Sequence, residues 1–310
     1  MKKLFAVFGS PVLHSKSPML YNSLFSKTHS DAYYTRIRVD KCEDVIRAIR
    51  SLDIIGANIT TPFKECLLPL LDSLSPEAEQ IGAVNTIQND NGYLKGFNTD
   101  YIGVSKSIEE AGINIFGKRC LVLGAGGASR AAVFGLMNSG AEVFITNRTY
   151  SKAENISNQM GCNVMQQDEI KELISSIDIV VSTLMPDVSL PDFEWNSGIE
   201  LLLDANYRKS KLSEEAQNAG IKVIRGDRWL IHQAIGAFTI FTGYESPVEL
   251  LENSILQVLD YNNIKVKTID LENSISFDNE QFDLLVSSEG HTADDVKRII
   301  DEEKYKAIDG

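Results

Sequence analysis

The sequence predicts an α/β fold of two domains meeting at a cleft, followed by a small C-terminal ββα appendage. Three observations carry that expectation. Apolar strands alternate with amphipathic stretches through the first hundred residues, and a second strand–helix–strand series opens around a glycine-rich turn at Gly124. The third is composition: 310 residues that are 43% apolar and 8% aromatic suit domains with cores of their own, not a disordered or fibrous chain. The 30 basic and 43 acidic side chains leave a net charge of −13, which argues against a basic surface for nucleic acid. Cys42, Cys66, Cys120 and Cys162 are widely spaced and form no CxxC or Cys/His pattern, so reduced thiols without a disulfide and no metal site are expected. The apolar start stops at Gly9-Ser10-Pro11, too short for a signal peptide, and no run approaches the ~18 apolar residues of a membrane span, so a cytoplasmic chain with no membrane contact is expected.

In order, Leu4–Phe8, Tyr33–Val39 and Ile54–Ile59 read as strands, separated by helices over Ser17–Ser26 and Asp44–Leu52. Ala83–Gln88 and Tyr93–Phe97 flank Asn89-Asp90-Asn91-Gly92, whose Asn-Gly supplies the positive φ of a tight hairpin. Ile102, Val104, Ile108 and Ala111 have helical spacing, ended by Gly112. A strand from Arg119, the turn Gly124-Ala125-Gly126-Gly127-Ala128-Ser129-Arg130, a helix to Asn138 and a strand over Glu142–Thr146 make a Rossmann-type unit. Strands at Ile177–Ser182 and Leu201–Asp204 and a helix near Ser213–Ala219 continue it, and Trp229–Phe241 and Pro247–Leu259 read as helices.

The turn carries chemistry. Gly124 permits the sharp exit from the strand, Gly126 and Gly127 remove the Cβ atoms that would block a pyrophosphate, and the next helix offers its N-terminal amides. Ser129 replaces the third glycine of the fingerprint; it is small enough for close packing and able to donate to phosphate. The second strand ends in Asn147-Arg148-Thr149, where a site for NAD would carry an acid for the ribose 2′-hydroxyl. A guanidinium suits a 2′-phosphate, so NADP is the expected cofactor.

In the first domain, polar residues gather where strands end: Ser15 and Ser17; Asn58, Thr60 and Lys64; Asn85; and Asn98-Thr99-Asp100. Singly, these have ordinary readings as helix caps or strand-end amides. Together, hydroxyls and amides suit a small polyhydroxylated molecule, with Lys64 serving a carboxylate or the chemistry. The ordered segments Gly9-Ser10-Pro11, His14-Ser15-Lys16-Ser17-Pro18, Ala57 to Glu65, Gly82-Ala83-Val84-Asn85-Thr86, Gly96 to Asp100, Gly124 to Arg130 and Asn147-Arg148-Thr149 resemble the shikimate dehydrogenase family (shikimate/quinate dehydrogenases).

That resemblance implies an NADP-dependent oxidoreductase interconverting 3-dehydroshikimate and shikimate, in the pathway to chorismate and the aromatic amino acids. It implies that Ser15 and Ser17 hold the substrate carboxylate, that Asn58, Thr60, Asn85, Tyr207 and Gln233 complete the substrate site, and that Lys64 and Asp100 are the catalytic pair. It also assigns Gly124, Ala125, Gly126, Gly127, Ala128, Ser129, Asn147, Arg148, Thr149 and Thr183 to the cofactor. A serine at position 17, where quinate-using relatives carry threonine, favours shikimate. The alternatives are a quinate/shikimate dehydrogenase of broader cofactor use and a non-catalytic NADP- or metabolite-binding regulator. The partner is a small molecule, and a homodimer is among the expectations.

Three segments depart from the family pattern. Val181-Ser182-Thr183-Leu184-Met185-Pro186 stands where relatives carry Asn-Ala-Thr-x-x-Gly-Met. Trp229 takes a methionine position in Gly226 to Gln233, where a larger ring would reshape the wall beside the cofactor. Asp204-Ala205-Asn206-Tyr207 lacks the Pro and Thr that often follow. The expected organisation is a substrate-binding and catalytic domain over 1–102, completed by 229–261, an NADP domain over 103–228, and an acidic appendage over 262–310. Within the appendage, Lys265–Leu271 and Phe282–Ser287 read as strands and Thr292-Ala293-Asp294-Asp295 as the start of a helix. It contributes 12 acidic and 6 basic residues, and either docks on the dehydrogenase, pairs between subunits, or opens a fused domain.

Overall fold

The computed structural model describes residues 2–190, 193–196, 198–257, 259, 263–271, 281–287 and 291–309. In chain order the first elements are β1 (Lys3–Gly9), α1 (Ser17–Lys27), β2 (Ala32–Arg38), α2 (Cys42–Ser51), β3 (Ile54–Ile59), β4 (Ser73–Leu74), α3 (Pro76–Ile81), β5 (Thr86–Asp90), β6 (Tyr93–Phe97) and α4 (Asp100–Glu110). The glycine-turn region supplies β7 (Arg119–Leu123), α5 (Gly127–Asn138), β8 (Glu142–Thr146), α6 (Tyr150–Met160), β9 (Asn163–Val164), α7 (Ile170–Leu173), β10 (Ile179–Ser182), β11 (Leu201–Asp204), α8 (Lys211–Asn218) and β12 (Lys222–Arg225). The chain continues with α9 (Gly226–Thr242), α10 (Glu249–Ile255), β13 (Val266–Ile269), β14 (Leu284–Ser287) and α11 (Ala293–Asp309). It divides into two compact units: Met1–Ala78, Ala83–Phe97 and Ala234–Gly310 form one, and Glu79–Gly82 with Asn98–Gln233 the other.

The first unit is built on a sheet of order β13-β14-β2-β1-β3-β5-β6-β4. β1 is central, and its last five residues are buried, as expected of a parallel strand covered on both faces. β2 and β3 run parallel to it, and β5 is antiparallel to β3. The hairpin from β5 to β6 pairs Asp90 with Tyr93 across Asn91 and Gly92, whose φ values of 50° and 92° are those a two-residue primed turn requires. Apolar spacing on α2 buries Val45, Ile46 and Ile49 against this sheet, together with Ile54, Ile59 and Phe63. On α1, Tyr21 stacks on Tyr34 with ring centroids 4.5 Å apart, and its hydroxyl donates to Ala234 O (3.2 Å).

Of two further features of this unit, one differs from the sequence expectation and the other falls on one of the three alternatives the sequence left open. Cys42, at the start of α2, and Cys66, two residues beyond Lys64, are joined as a disulfide with Cα atoms 6.3 Å apart, whereas Cys120 and Cys162 are buried free thiols. Spacing along the chain hid that contact because the fold turns the Lys64 loop back over α2. The other is the appendage: β14 runs parallel to β2, with Leu285 opposite Ile37 and Val286 opposite Arg38, and β13 pairs with β14. It is an extension of the first sheet.

The second unit holds a parallel sheet of order β12-β11-β10-β7-β8-β9. Alternation along β7 sends Cys120 and Val122 to one core, with Val104, Val133 and Leu136, and Leu121 and Leu123 to the other, with Ile170, Ile174 and Leu212. Gly135 lets α5 approach α4, since a Cβ there would lie 2.8 Å from Tyr101 O. Trp229 is buried (5% exposed) and packs against Gly103 on α4, within this core.

Candidate active site

In the first unit the polar residues converge at the carboxyl ends of β1 and β3. The loop after β1 starts at Gly9, where a Cβ would meet Thr60 Cγ2 at 2.5 Å, so only glycine lets it lie this close. Thr60 N donates to Phe8 O (2.9 Å) and Ser10 N to Thr61 O (3.1 Å), which fixes the two loops side by side. Ser15 and Ser17 are both buried, with their hydroxyls 3.2 Å apart. Arg36, on β2 and 2% exposed, donates from Nε (2.9 Å) and Nη2 (2.7 Å) to Ser15 O and so sets the backbone under the pair. Sequence reasoning missed Arg36; the available signal was a charge inside an otherwise covered parallel strand.

Asn58 is the penultimate residue of β3, and its Oδ1 accepts from the Tyr34 hydroxyl (2.7 Å). Burial pushes that phenol well above its ordinary pKa, which keeps it protonated to donate. Asn58 Nδ2 donates to Asn85 O (3.3 Å) and Thr86 Oγ1 (3.1 Å), and Thr86 Oγ1 donates to Asn85 Oδ1 (2.8 Å). Asn58 thus sets the position of Asn85, while its Oδ1 keeps a second lone pair. Lys64 is partly exposed, and its carbonyl accepts from Val84 N (2.7 Å), which ties the Lys64 loop to the strand-end turn before Asn85.

The second unit contains the rest. Asp100, 7% exposed, opens α4, and its backbone N donates to Asn98 Oδ1 (3.0 Å). Thr99 Oγ1 donates to Gln233 Oε1 (3.4 Å), and Gln233 Nε2 to Leu230 O (3.0 Å). Tyr207 follows β11 and is 37% exposed; desolvation, with the carboxylates of Asp100 and Asp227 behind it, raises its phenol well above the ordinary value. Asp227 is a second charge that sequence reasoning did not single out.

The glycine turn has φ +110° at Gly124, and a Cβ there would run into Thr183 Oγ1; above Gly126 the space is open. Ser129 is fully buried, and its hydroxyl accepts from Gly126 N (3.1 Å) and pairs with Thr183 Oγ1 (2.7 Å), which in turn donates to Leu123 O (3.0 Å). Ser129 therefore braces the turn from beneath. Past the end of β8, Arg148 and Thr149 are exposed, and Asn147 Nδ2 donates to Thr149 O (3.0 Å). After Thr183, the Leu184–Pro186 segment is held by Asn206 Nδ2, which donates to Leu184 O (2.9 Å), and by Lys211 N, which donates to Pro186 O (2.9 Å). Asn206 is itself oriented by buried Asp204, whose Oδ1 accepts its amide at 2.7 Å. An exposed Met185 sits at the tip.

His232 pairs with Glu110 (3.1 Å), which also receives Arg228. Among the described residues, no group of three or more His, Cys, Asp or Glu could hold a metal ion, and no helix is long and apolar enough to cross a membrane.

Two family models match: shikimate dehydrogenase substrate binding domain over residues 7–87, and shikimate / quinate 5-dehydrogenase over residues 106–190. A shikimate dehydrogenase (NADP(+)) of Methanococcoides burtonii is 36% identical over 270 residues, covering 84% of this chain and 100% of that one. Its counterpart in Aquifex aeolicus is 35% identical over 260 residues, covering 82% and 96%. Among solved structures, shikimate dehydrogenase of Aquifex aeolicus superposes with a TM-score of 0.76 at 35% identity, covering 83% of this chain and 98% of that one. The Thermus thermophilus shikimate 5-dehydrogenase in complex with NADP(H) and shikimate gives 0.73 at 31% identity, covering 82% and 98%.

Proposed function

The chain belongs to the shikimate dehydrogenase family, and from that premise we propose that it interconverts shikimate and 3-dehydroshikimate with NADP as hydride carrier. The observation that carries the reading is the glycine turn: a positive-φ glycine, open space above Gly126, helix amides behind it, and Arg148 just past the second strand in place of an acid. The cofactor fits that cradle. The amides at the start of α5 would receive the pyrophosphate, and Arg148, with Asn147 and Thr149, the 2′-phosphate. Ser129 and Thr183 hold the turn's shape.

NADP+ held in that cradle would supply the hydride acceptor for the carbinol carbon. Oxidising that carbon also requires loss of the hydroxyl proton, and Lys64 takes it up while Asp100 orients the hydroxyl. Ser15 and Ser17 bind the substrate carboxylate through their hydroxyls, on a loop whose Ser15 carbonyl is held by Arg36. Thr60, Asn85, Tyr207 and Gln233 receive the ring hydroxyls, and Asn58 acts by fixing Asn85. The neutral donors leave specificity to shape and hydrogen bonding, so a ligand lacking one hydroxyl forfeits the bond that hydroxyl would make.

Purified protein mixed with shikimate and NADP should produce NADPH absorbance at 340 nm, a wavelength set by the reduced nicotinamide. Silence with shikimate and with quinate, each with NADP and with NAD, would overturn the enzymatic reading. We propose a cytoplasmic enzyme and a homodimer, and light scattering of the purified chain tests the oligomeric state.

A further inference from the structure

Glu303 is a carboxylate that the dehydrogenase reading leaves unexplained. It lies on α11, is 2% exposed, and its Oε2 accepts from Val12 N (2.9 Å) and Leu13 N (2.8 Å), while Oε1 is 3.1 Å from Arg38 Nε. Val12 and Leu13 belong to the loop between β1 and α1, directly ahead of Ser15. A second tie reaches the same loop from β14. Arg36, whose Nε and Nη2 donate to Ser15 O, also donates from Nη1 to Asp283 O (3.2 Å). The neighbouring Phe282 O accepts from Thr35 Oγ1 (2.6 Å) and from the Tyr33 hydroxyl.

Burying a carboxylate costs several kcal/mol unless hydrogen bonds meet it, and covering the β2 edge needs no charge at all. Apolar Leu284, Leu285, Val296 and Ile299 already supply the cover. What the charge adds is geometry: one carboxylate oxygen bonded to two successive amides fixes the local turn of the loop. The relative matched over its whole length accounts for only 84% of this chain, so the rest is additional to that relative's dehydrogenase.

We propose that the C-terminal strand–helix unit positions the substrate-carboxylate loop, with Glu303 and Arg36 as positioning residues that set Ser15 and Ser17 without touching substrate. The inference rests on the reading of Ser15 and Ser17 given above. Steady-state kinetics of full-length Glu303→Ala should show KM for shikimate raised about tenfold, which corresponds to about 1.4 kcal/mol. KM for NADP should stay within about twofold, the separation expected when one site alone loses its support. Glu303→Gln, which keeps one acceptor oxygen, should restore most of the loss but leave the shikimate KM about two- to threefold above wild type.

An unchanged shikimate KM in folded Glu303→Ala overturns the proposal, as does an equal rise in both Michaelis constants alongside a fall in Tm. Should the alanine variant not fold, Glu303→Gln decides alone: a shikimate KM at the wild-type value refutes it, and a selective rise supports it. Ser15→Ala and Ser17→Ala separate the two layers. If they leave the shikimate KM unchanged, the carboxylate reading falls; if they raise it while the Glu303 variants do not, only the positioning role falls.

Discussion

The glycine turn at Gly124 and the serine loop at Ser15, both proposed above as ligand loops, each follow a first parallel strand, and they differ in how far along the chain their support reaches. The glycine turn is fixed from close by: Gly124 N donates to Thr146 O (2.9 Å), Gly126 N to Ser129 Oγ (3.1 Å), and Thr183 is its furthest support. The serine loop has supports at similar separations, Thr61 and Arg36, and beyond them Glu303, which lies 291 residues from Val12. A loop whose task is to present backbone amides can be written locally in glycines. A loop that presents side-chain hydroxyls needs an external frame, because serine carries no conformational preference strong enough to hold itself in place.

The largest expected effect breaks the chemistry and leaves both frames standing. Lys64→Ala should lower kcat roughly 10²-fold or more, the scale of a positioned acid–base group, with little change in shikimate KM. Unchanged turnover would remove Lys64 from the mechanism. Next comes the local frame. Gly124→Val places a branched side chain at φ +110° facing Thr183, a strain of about 1–3 kcal/mol. NADP KM should rise tenfold or more, by about the strain released on distorting the turn, with shikimate KM unmoved; a parallel rise in shikimate KM would erase the contrast between the loops.

A smaller effect belongs to the cofactor's phosphate. Arg148→Ala should raise NADP KM about tenfold, for a lost charge-assisted bond of about 1.5–3 kcal/mol partly replaced by water, and leave NAD untouched. Equal losses with both cofactors would count against the 2′-phosphate role. The smallest effect reads the distant frame through pH. Burial raises the Glu303 carboxyl above its ordinary value, with the amides of Leu13 and Val12 and the charges of Arg38 and Lys306 offsetting part of that. The folded chain then keeps a proton that the unfolded chain has already lost, so this group's stabilisation is complete below the unfolded value and disappears as pH rises through the folded one. Melting curves of wild type and Glu303→Gln from pH 4 to 8 should show the wild-type advantage shrinking as pH rises, and a pH-independent gap would contradict the buried carboxyl.

The same contrast explains what could be read from the residues alone. Strands such as Leu4–Phe8 and Leu201–Asp204 and the turn at Gly124 announce themselves because their determinants sit within a few positions of one another. Ser15, Ser17, Lys64 and Asp100 were legible as members of ordered motifs. β12 was not, being four residues only partly covered at a sheet edge, nor was β4, which has two residues. Glu303 was not singled out, since nothing near it in the sequence shows that the fold buries it, and Arg36 offered only the weak signal of a charge inside an apolar strand. The packing of Trp229 against Gly103 on α4 was not legible either, since it joins residues more than a hundred positions apart. The disulfide between Cys42 and Cys66 was invisible for the same reason as Glu303, since it depends on a contact that only the folded chain makes.

The pairing of β14 with β2 also sets a clock. Thr35 is synthesised 247 residues before Phe282, its hydrogen-bond acceptor, an interval of roughly 12–50 s at about 5–20 residues per second. Until then the outer edge of β2 waits without the neighbour it will have, and the serine loop without its frame. On a ribosome, the glycine turn can close as soon as β10 has emerged, while shikimate affinity matures only after the last helix arrives.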